Sequence, residues 1–285
     1  MYSQSAPAKI NLVLDVLGPR PDGYHEMRMV MQAVSLRDQV TIREIPEGFR
    51  LLGMDLPEDV KTLEQRAAEA FFAVLGRPAP GLEVRLEKHT PAYAGLGGGS
   101  ADAAAVLRLL REMYCPEMDP AELEAIGLTV GSDVPFCIRG GAALAEGRGE
   151  RLTDLPLLPH CWLVIAKPAF DLPTPEMFRR LHCHAPSDGP DVEGMASALR
   201  NGDLRAAALC MGNVFEAVLE PSEQQEVLYI KNTLCRFGAL NAVMSGSGPS
   251  VAGIFVRKED AFAALNDLRN TCQTAALAQP VGRLI

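Results

Sequence analysis

Long apolar runs are missing from this 285-residue sequence. The opening MYSQSAPAKINLVL is broken by Lys9, and no later stretch is both long and uncharged enough to span a bilayer. That excludes a membrane-spanning helix and points to the cytoplasm. Basic charge is also scarce: 27 Lys and Arg stand against 36 Asp and Glu, a net charge of −9. With no Lys/Arg-rich stripe carrying interleaved aromatics, nucleic acid is not an expected partner. The seven cysteines are odd in number and widely scattered, which argues against a disulfide framework and for reduced, mostly buried thiols. Only five histidines occur, and His182-Cys183-His184 is too compressed for a structural zinc spacing. His89 and His160 have no nearby acidic partners. No internal repeat is evident either, so solenoids and propellers are not expected.

What remains is a folding composition, with 48% hydrophobic and 22% charged residues. The length exceeds one ordinary hydrophobic core, so two domains are expected, 1–154 and 155–285, divided where prolines and leucines cluster at 152–159. Strands are expected at 10–17, 40–45, 82–86, 162–166 and 250–256, from branched apolar residues or period-two alternation. Helical spacing marks 63–75, 196–210, 223–235 and 259–269. Asp119, Pro120 and Glu122 form a helix start of N-cap, proline at the first position and glutamate at the third, with Gly131 near its end.

The strongest chemical signal is Gly95-Leu96-Gly97-Gly98-Gly99-Ser100, a flexible loop running into the helix-forming stretch 101–107. Such a loop can curl its N–H groups around an anion at a helix terminus, and Ser100 adds a hydroxyl. No Lys-Ser or Lys-Thr pair follows, so it is not a Walker loop, and it fits the dinucleotide fingerprint poorly. Asp133, in Gly131-Ser132-Asp133-Val134-Pro135-Phe136, could orient and deprotonate an attacking hydroxyl, with Lys9 stabilising the reacting oxygens. Taken alone, an acid such as Asp133 is more often a helix cap or turn residue, and a lysine such as Lys9 more often a solvated charge. Asn11, two residues on in a strand, shares the face of Lys9. Asp22-Gly23-Tyr24-His25 sets a phenol and an imidazole on a turn, suited to stacking on and hydrogen-bonding a heteroaromatic ring or simply to packing. Ser245-Gly246-Ser247-Gly248-Pro249-Ser250 is a second glycine–hydroxyl loop that could close over phosphate or substrate, or be an ordinary connection.

Taken together, Pro91-Ala92-Tyr93-Ala94-Gly95-Leu96-Gly97-Gly98-Gly99-Ser100, the later Gly-Ser-Asp-Val-Pro-Phe and the late Ser-Gly-Ser-Gly resemble the galactokinase, homoserine kinase, mevalonate kinase and phosphomevalonate kinase (GHMP) superfamily. Within it, Ala8-Lys9-Ile10-Asn11-Leu12 and Arg20-Pro21-Asp22-Gly23-Tyr24-His25-Glu26 are similar to the opening of the 4-diphosphocytidyl-2-C-methyl-D-erythritol kinase family. The resemblance covers nearly the whole chain. It implies an α+β fold of two domains, each a mixed or antiparallel sheet packed against helices, with the active site in the cleft between them. It also implies ATP with Mg²⁺, a cytidyl diphosphate substrate phosphorylated on its 2-hydroxyl in isoprenoid precursor synthesis, and a monomer or weak homodimer. By resemblance, Asp133 is the catalytic base and Lys9 the catalytic lysine. Pro91, Gly95, Leu96, Gly97, Gly98, Gly99 and Ser100 hold ATP. Tyr24 and Phe178 stack on cytosine, His25 reads its edge, and Asn11, Thr174, Gly246 and Ser247 complete the substrate side. A kinase for another small alcohol, such as homoserine or mevalonate, is the alternative, and it would not need Tyr24, His25 and Phe178 to converge. Two positions depart from the family: Ala101 replaces a second serine, and Thr62 stands where an asparagine is expected.

Overall fold

The structure is a computed structural model that describes residues 1–54, 61–184 and 189–285; the side chains of His182, Cys183 and His184 lie outside the described residues, and with them that compressed motif. Two long strands form its spine. β1 (Tyr2–Pro19) and β2 (His25–Ile45) pair antiparallel from Tyr2–Ile42 to Pro19–His25. Both exceed the expected strands, because their added segments combine buried apolar residues with polar ones that are satisfied inside. Gln32, for example, is buried yet donates to the carbonyls of Gly141 and Val281 and accepts from the Leu158 N–H.

β1 is irregular where it matters. Its register slips between Pro7 and Lys9 and again between Asn11 and Val13, so Lys9-Ile10-Asn11 is a short regular segment between two bulges. Bulges re-aim side chains, and Pro7 is tolerated at such a break.

Along the chain follow β3 (Phe49–Leu52), α1 (Leu63–Val74), β4 (Gly81–Glu87), α2 (Gly98–Tyr114), α3 (Pro120–Val130) and α4 (Val134–Arg139). Then come β5 (Ala142–Gly147), β6 (Arg151–Leu155) and β7 (Trp162–Lys167). The first half of β2 pairs with β5 and its second half with β4. The first sheet therefore has the order β3-β4-β2-β1, with β5 and β6 branching from β2.

The remaining elements are α5 (Thr174–His184), α6 (Val192–Arg200), α7 (Leu204–Leu209), β8 (Gly212–Asn213), α8 (Pro221–Arg236), β9 (Asn241–Met244), β10 (Val251–Phe255), α9 (Lys258–Leu268) and β11 (Thr274–Ala278). The second sheet runs β11-β7-β10-β9, and β8 returns to pair parallel with β1 in the first. The single helix expected at 196–210 is two. Gly202, at φ +64°, ends α6, and Asp203 caps α7 by accepting from the N–H groups of Arg205 and Ala206.

α2 is buried over ten consecutive residues, Ala101 to Leu110, and so is enclosed on all sides. Its alanines let β1, β2, α1 and α4 approach closely. Truncating the fully buried Leu107 would cost about 2–5 kcal/mol. The glycine-rich segment is thereby mounted on a helix enclosed by the core.

Candidate active site

Every candidate site residue lines one cleft of about 1160 Å³. At its centre Lys9 Nζ lies 3.3 Å from Asp133 Oδ2 and donates to Asn11 Oδ1 at 2.7 Å. Both partners of Lys9 thus face the cleft, and the Lys9 side chain is almost wholly buried. Asp133 is the residue before α4, the N-cap position, yet its side chain caps nothing. A carboxylate released from capping is available to a ligand.

Arg108, from the buried middle of α2, fastens this centre to its scaffold. It donates to the carbonyls of Ser5 on β1 and Cys137 on α4, at 2.8 and 2.7 Å. It pairs with no carboxylate among the described residues, and burial lowers its pKa to about 10.

The glycine-rich segment divides differently from its expected form. Gly98, Gly99 and Ser100 already belong to the first turn of α2, and Gly97 is its N-cap with φ +66°. The true loop is therefore 95–97, and the helix start presents its free N–H groups to the cleft. The loop is pinned to β1, since Lys9 N donates to Leu96 O at 2.9 Å. A Cβ on Gly97 would lie 3.0 Å from Lys9 Cγ, so the lysine stem runs directly over this glycine.

Ser245, buried, bridges three segments. Its hydroxyl accepts from the N–H of Asn11 at 3.1 Å and donates to Gly95 O at 2.9 Å. Asn213 holds the same loop from below, donating to Met244 O and Gly246 O. Ser247 Oγ meets Thr174 Oγ1 at 2.9 Å, bringing together two of the residues assigned to the substrate side.

At the other end of the cleft the rings converge. His25 stacks on Phe178 with centroids 4.6 Å apart, and Phe178 meets Phe215 edge-on at 5.1 Å. The first pair is too close to admit a third ring between them. Tyr24, half-exposed on the preceding turn, carries the guanidinium of Arg148 over one face at 4.7 Å.

Sequence inspection passes over Lys88, Asp38 and Asp102. Lys88 Nζ donates to Asp38 and, at 2.5 Å, to Asp102, beside the start of α2. Asp38 also accepts from the N–H groups of His89 and Thr90. Burial works against the Lys88 ammonium, but the two carboxylates prevail and raise its pKa. Burial raises the Asp102 carboxyl to about 7 despite Lys88, and its Oδ1 has no hydrogen-bond partner. Only the acidic residue in the helix-forming run 101–107 could have flagged this cluster.

Of the two departures, Thr62 caps α1, accepting from the Gln65 N–H at 3.2 Å, and Ala101 is packed in the core.

Two family descriptions match the sequence, the GHMP kinases N terminal domain over residues 62–141 and the GHMP kinases C terminal domain over 195–274. A 4-diphosphocytidyl-2-C-methyl-D-erythritol kinase of Pelotomaculum thermopropionicum is 46% identical over 259 residues, covering 90% of each chain. The kinase of the same name from Bacillus velezensis is 39% identical over 285 residues, covering 98% of this chain and 96% of its own. A crystal structure of a 4-(cytidine 5'-diphospho)-2C-methyl-D-erythritol kinase superposes with a TM-score of 0.80 at 33% identity, over 99% of this chain and 100% of that one. A homoserine kinase from Cytophaga hutchinsonii superposes with a TM-score of 0.73 at 19% identity, over 99% and 98%, a likeness of fold alone.

Proposed function

The chain belongs to the GHMP kinases and, within them, to the 4-diphosphocytidyl-2-C-methyl-D-erythritol kinase family, and from that membership we propose how its cleft works. It is an ATP-dependent kinase. Its acceptor is the 2-hydroxyl of 4-diphosphocytidyl-2-C-methyl-D-erythritol, and its products are the 2-phosphate and ADP, in the methylerythritol phosphate route to isoprenoid precursors.

The observation that carries this reading is the Asp133–Lys9 pair, a carboxylate that caps nothing beside an ammonium held by Asn11. Asp133 orients the 2-hydroxyl and takes its proton as the oxygen attacks the γ-phosphorus. The bond from that phosphorus to the bridging oxygen of ADP breaks, and Lys9 offsets the charge on the transferring group. The loop 95–97 and the helix start at Gly98 to Ser100 receive the phosphates, where N–H groups and helix dipole favour an anion. Pro91 borders this nucleotide end.

On the acceptor side the pyrimidine stacks against Tyr24 and the accessible part of Phe178, entering beside the His25–Phe178 pair, with His25 supplying a hydrogen bond to its edge. Asn11, Thr174, Gly246 and Ser247 border the erythritol end. This ring cluster is what a homoserine or mevalonate kinase would not require.

Mg²⁺ fits as an ion carried by the nucleotide. Among the described residues no three His, Cys, Asp or Glu side chains are grouped to hold a metal unaided, and Mg²⁺ in kinases is bound largely by substrate phosphates and water. The Ser100 hydroxyl at the helix start is the side chain that would reach it, and the ion would neutralise phosphate charge.

We divide the chain near Asp154, because β6 ends the first run of strands at Leu155 and β7 opens the second sheet at Trp162, with β8 returning to the first. We place the reaction in the cytoplasm, with which the six described cysteines, all free, are consistent. No helix of the described residues is long and apolar enough to cross a membrane. A monomer or weak homodimer suffices, since one chain supplies every group named.

ADP release in a coupled assay with Mg²⁺ tests the substrate. Turnover is expected with the cytidyl alcohol and not with homoserine or mevalonate; turnover of either of those, without dependence on the cytidyl compound, would overturn the assignment.

A further inference from the structure

Four Lys or Arg side chains line the cleft. Lys9 pairs with Asp133, Lys61 with Glu69 at 2.6 Å, and Lys88 with Asp38 and Asp102. Arg148 pairs with no carboxylate among the described residues. In a chain with 36 acidic residues, a half-buried guanidinium kept clear of them inside a concave site is poised for an anion from solution. Its planar fork suits phosphate oxygens better than a lysine would.

The position of Arg148 says which anion. It sits at the tip of the tight turn joining β5 to β6, where its backbone N–H donates to the Glu150 carboxylate at 2.7 Å and Gly149 N donates to Glu146 O at 3.1 Å. On one side the guanidinium lies 4.7 Å from the centre of the Tyr24 ring. On the other, the turn abuts the reaction centre: a Cβ on Gly149 would lie 3.7 Å from Ser132 O and 3.9 Å from Asp133 Oδ1. The turn that carries Arg148 therefore reaches from the aromatic platform to the catalytic carboxylate, with the guanidinium at its aromatic end.

We propose that Arg148 is the binding group for the substrate's own diphosphate. The inference rests on the function proposed above. If the base stacks at Tyr24 and the reacting hydroxyl lies at Asp133, the diphosphate joining cytidine to the methylerythritol must pass along the turn that carries Arg148. The contact with Tyr24 holds the guanidinium there in advance, leaving the ring's other face for the base and reducing the ordering cost of binding. The ATP phosphates have their own cradle at residues 95–100, beyond Lys9, so Arg148 serves the acceptor side.

Calorimetry with cytidine and CDP as probes, on protein saturated with a non-hydrolysable ATP analogue so that the nucleotide cradle is filled, tests this. Wild type should bind CDP about tenfold or more tighter than cytidine, the scale of one charge-assisted contact. Arg148→Met should abolish most of that preference while cytidine and ATP-analogue affinities stay within about twofold, and Arg148→Lys should restore part of it. Retention of the CDP preference in Arg148→Met would overturn the proposal. So would equal losses for cytidine and CDP, which would assign Arg148 to Tyr24 alone, or a loss confined to the ATP analogue, which would assign it to the other phosphates. If wild type binds neither cytidine nor CDP, the cytosine site itself fails, and this inference falls with it.

Discussion

Replacing Gly95 by alanine probes the joint on which the glycine-rich loop depends. Gly95 has φ +72°, and an added Cβ would lie 1.9 Å from Ser245 O and 3.0 Å from Gly248 N. The first contact is impossible, so the loop at 245–248 must retreat until that distance exceeds 3.0 Å. Retreat on that scale breaks the Ser245 hydroxyl bonds to Gly95 O and from Asn11 N, worth about 1 kcal/mol each. The left-handed backbone costs an L-residue a further 1–2 kcal/mol, roughly, so the total is about 3–4 kcal/mol. Gly202→Ala is the matched control, because Gly202 has φ +64° but meets nothing within 4 Å, and it should lose only about 1–2 kcal/mol. Urea unfolding should separate the two variants by about 2 kcal/mol, and only Gly95→Ala should also weaken binding of an ATP analogue. Equal midpoints and slopes for the two variants would refute the clash and the strap it implies.

Gly98→Val should reduce ATP affinity in folded protein, because a branched side chain at the first helical position crowds the surface offered to phosphate; unchanged affinity by calorimetry would move the phosphate site elsewhere. Tyr24→Ala should weaken binding of the cytidyl substrate by about tenfold or more, from a stacking contribution of about 1–3 kcal/mol, with ATP affinity little changed. Equal binding of the cytidyl and uridyl substrates by wild type would end the base-reading role of His25. Burial raises the Asp102 carboxyl from 3.8 to about 7; the native state therefore holds this proton more tightly than the unfolded chain, and the resulting stabilisation, complete below the unfolded value, is lost as pH rises through the folded one. Asp102→Asn should accordingly gain on wild type in melting temperature between about pH 5 and about pH 8, and parallel curves for the two proteins would remove Asp102 as the titrating group.

The candidate residues that share one cleft were more legible in the sequence than the framework that brings them together. Gly95 to Ser100, Asp133 and Lys9 are motif residues whose chemistry is local, and all of them line one cleft. Their supports are not local. Ser245 reaches Gly95 across 150 residues, Arg108 reaches Ser5 across 103, and Lys88 reaches Asp38 across 50, and no periodicity encodes such pairings. β2 runs to 21 residues because buried polar side chains such as Gln32 and Asp38 find internal partners, which hydrophobic alternation cannot anticipate. The break between α6 and α7 was different, since Asn201-Gly202-Asp203 is a turn and cap signal in plain view that the helical spacing on either side outweighed.

The central claim is that Asp133 and Lys9 form the reaction centre, and turnover by Asp133→Asn, with melting temperature taken on the same preparation, tests it most directly. The carboxylate lies 3.3 Å from the Lys9 ammonium and caps no helix N–H. Lys9 is almost wholly buried but keeps its hydrogen bond to Asn11, so loss of its counter-charge should lower the melting temperature yet leave the protein folded with ATP affinity near wild type. Without an acceptor for the hydroxyl proton, kcat should fall at least about 100-fold. Near-normal turnover per folded molecule would contradict the catalytic role of Asp133 and return it to the status of a turn residue.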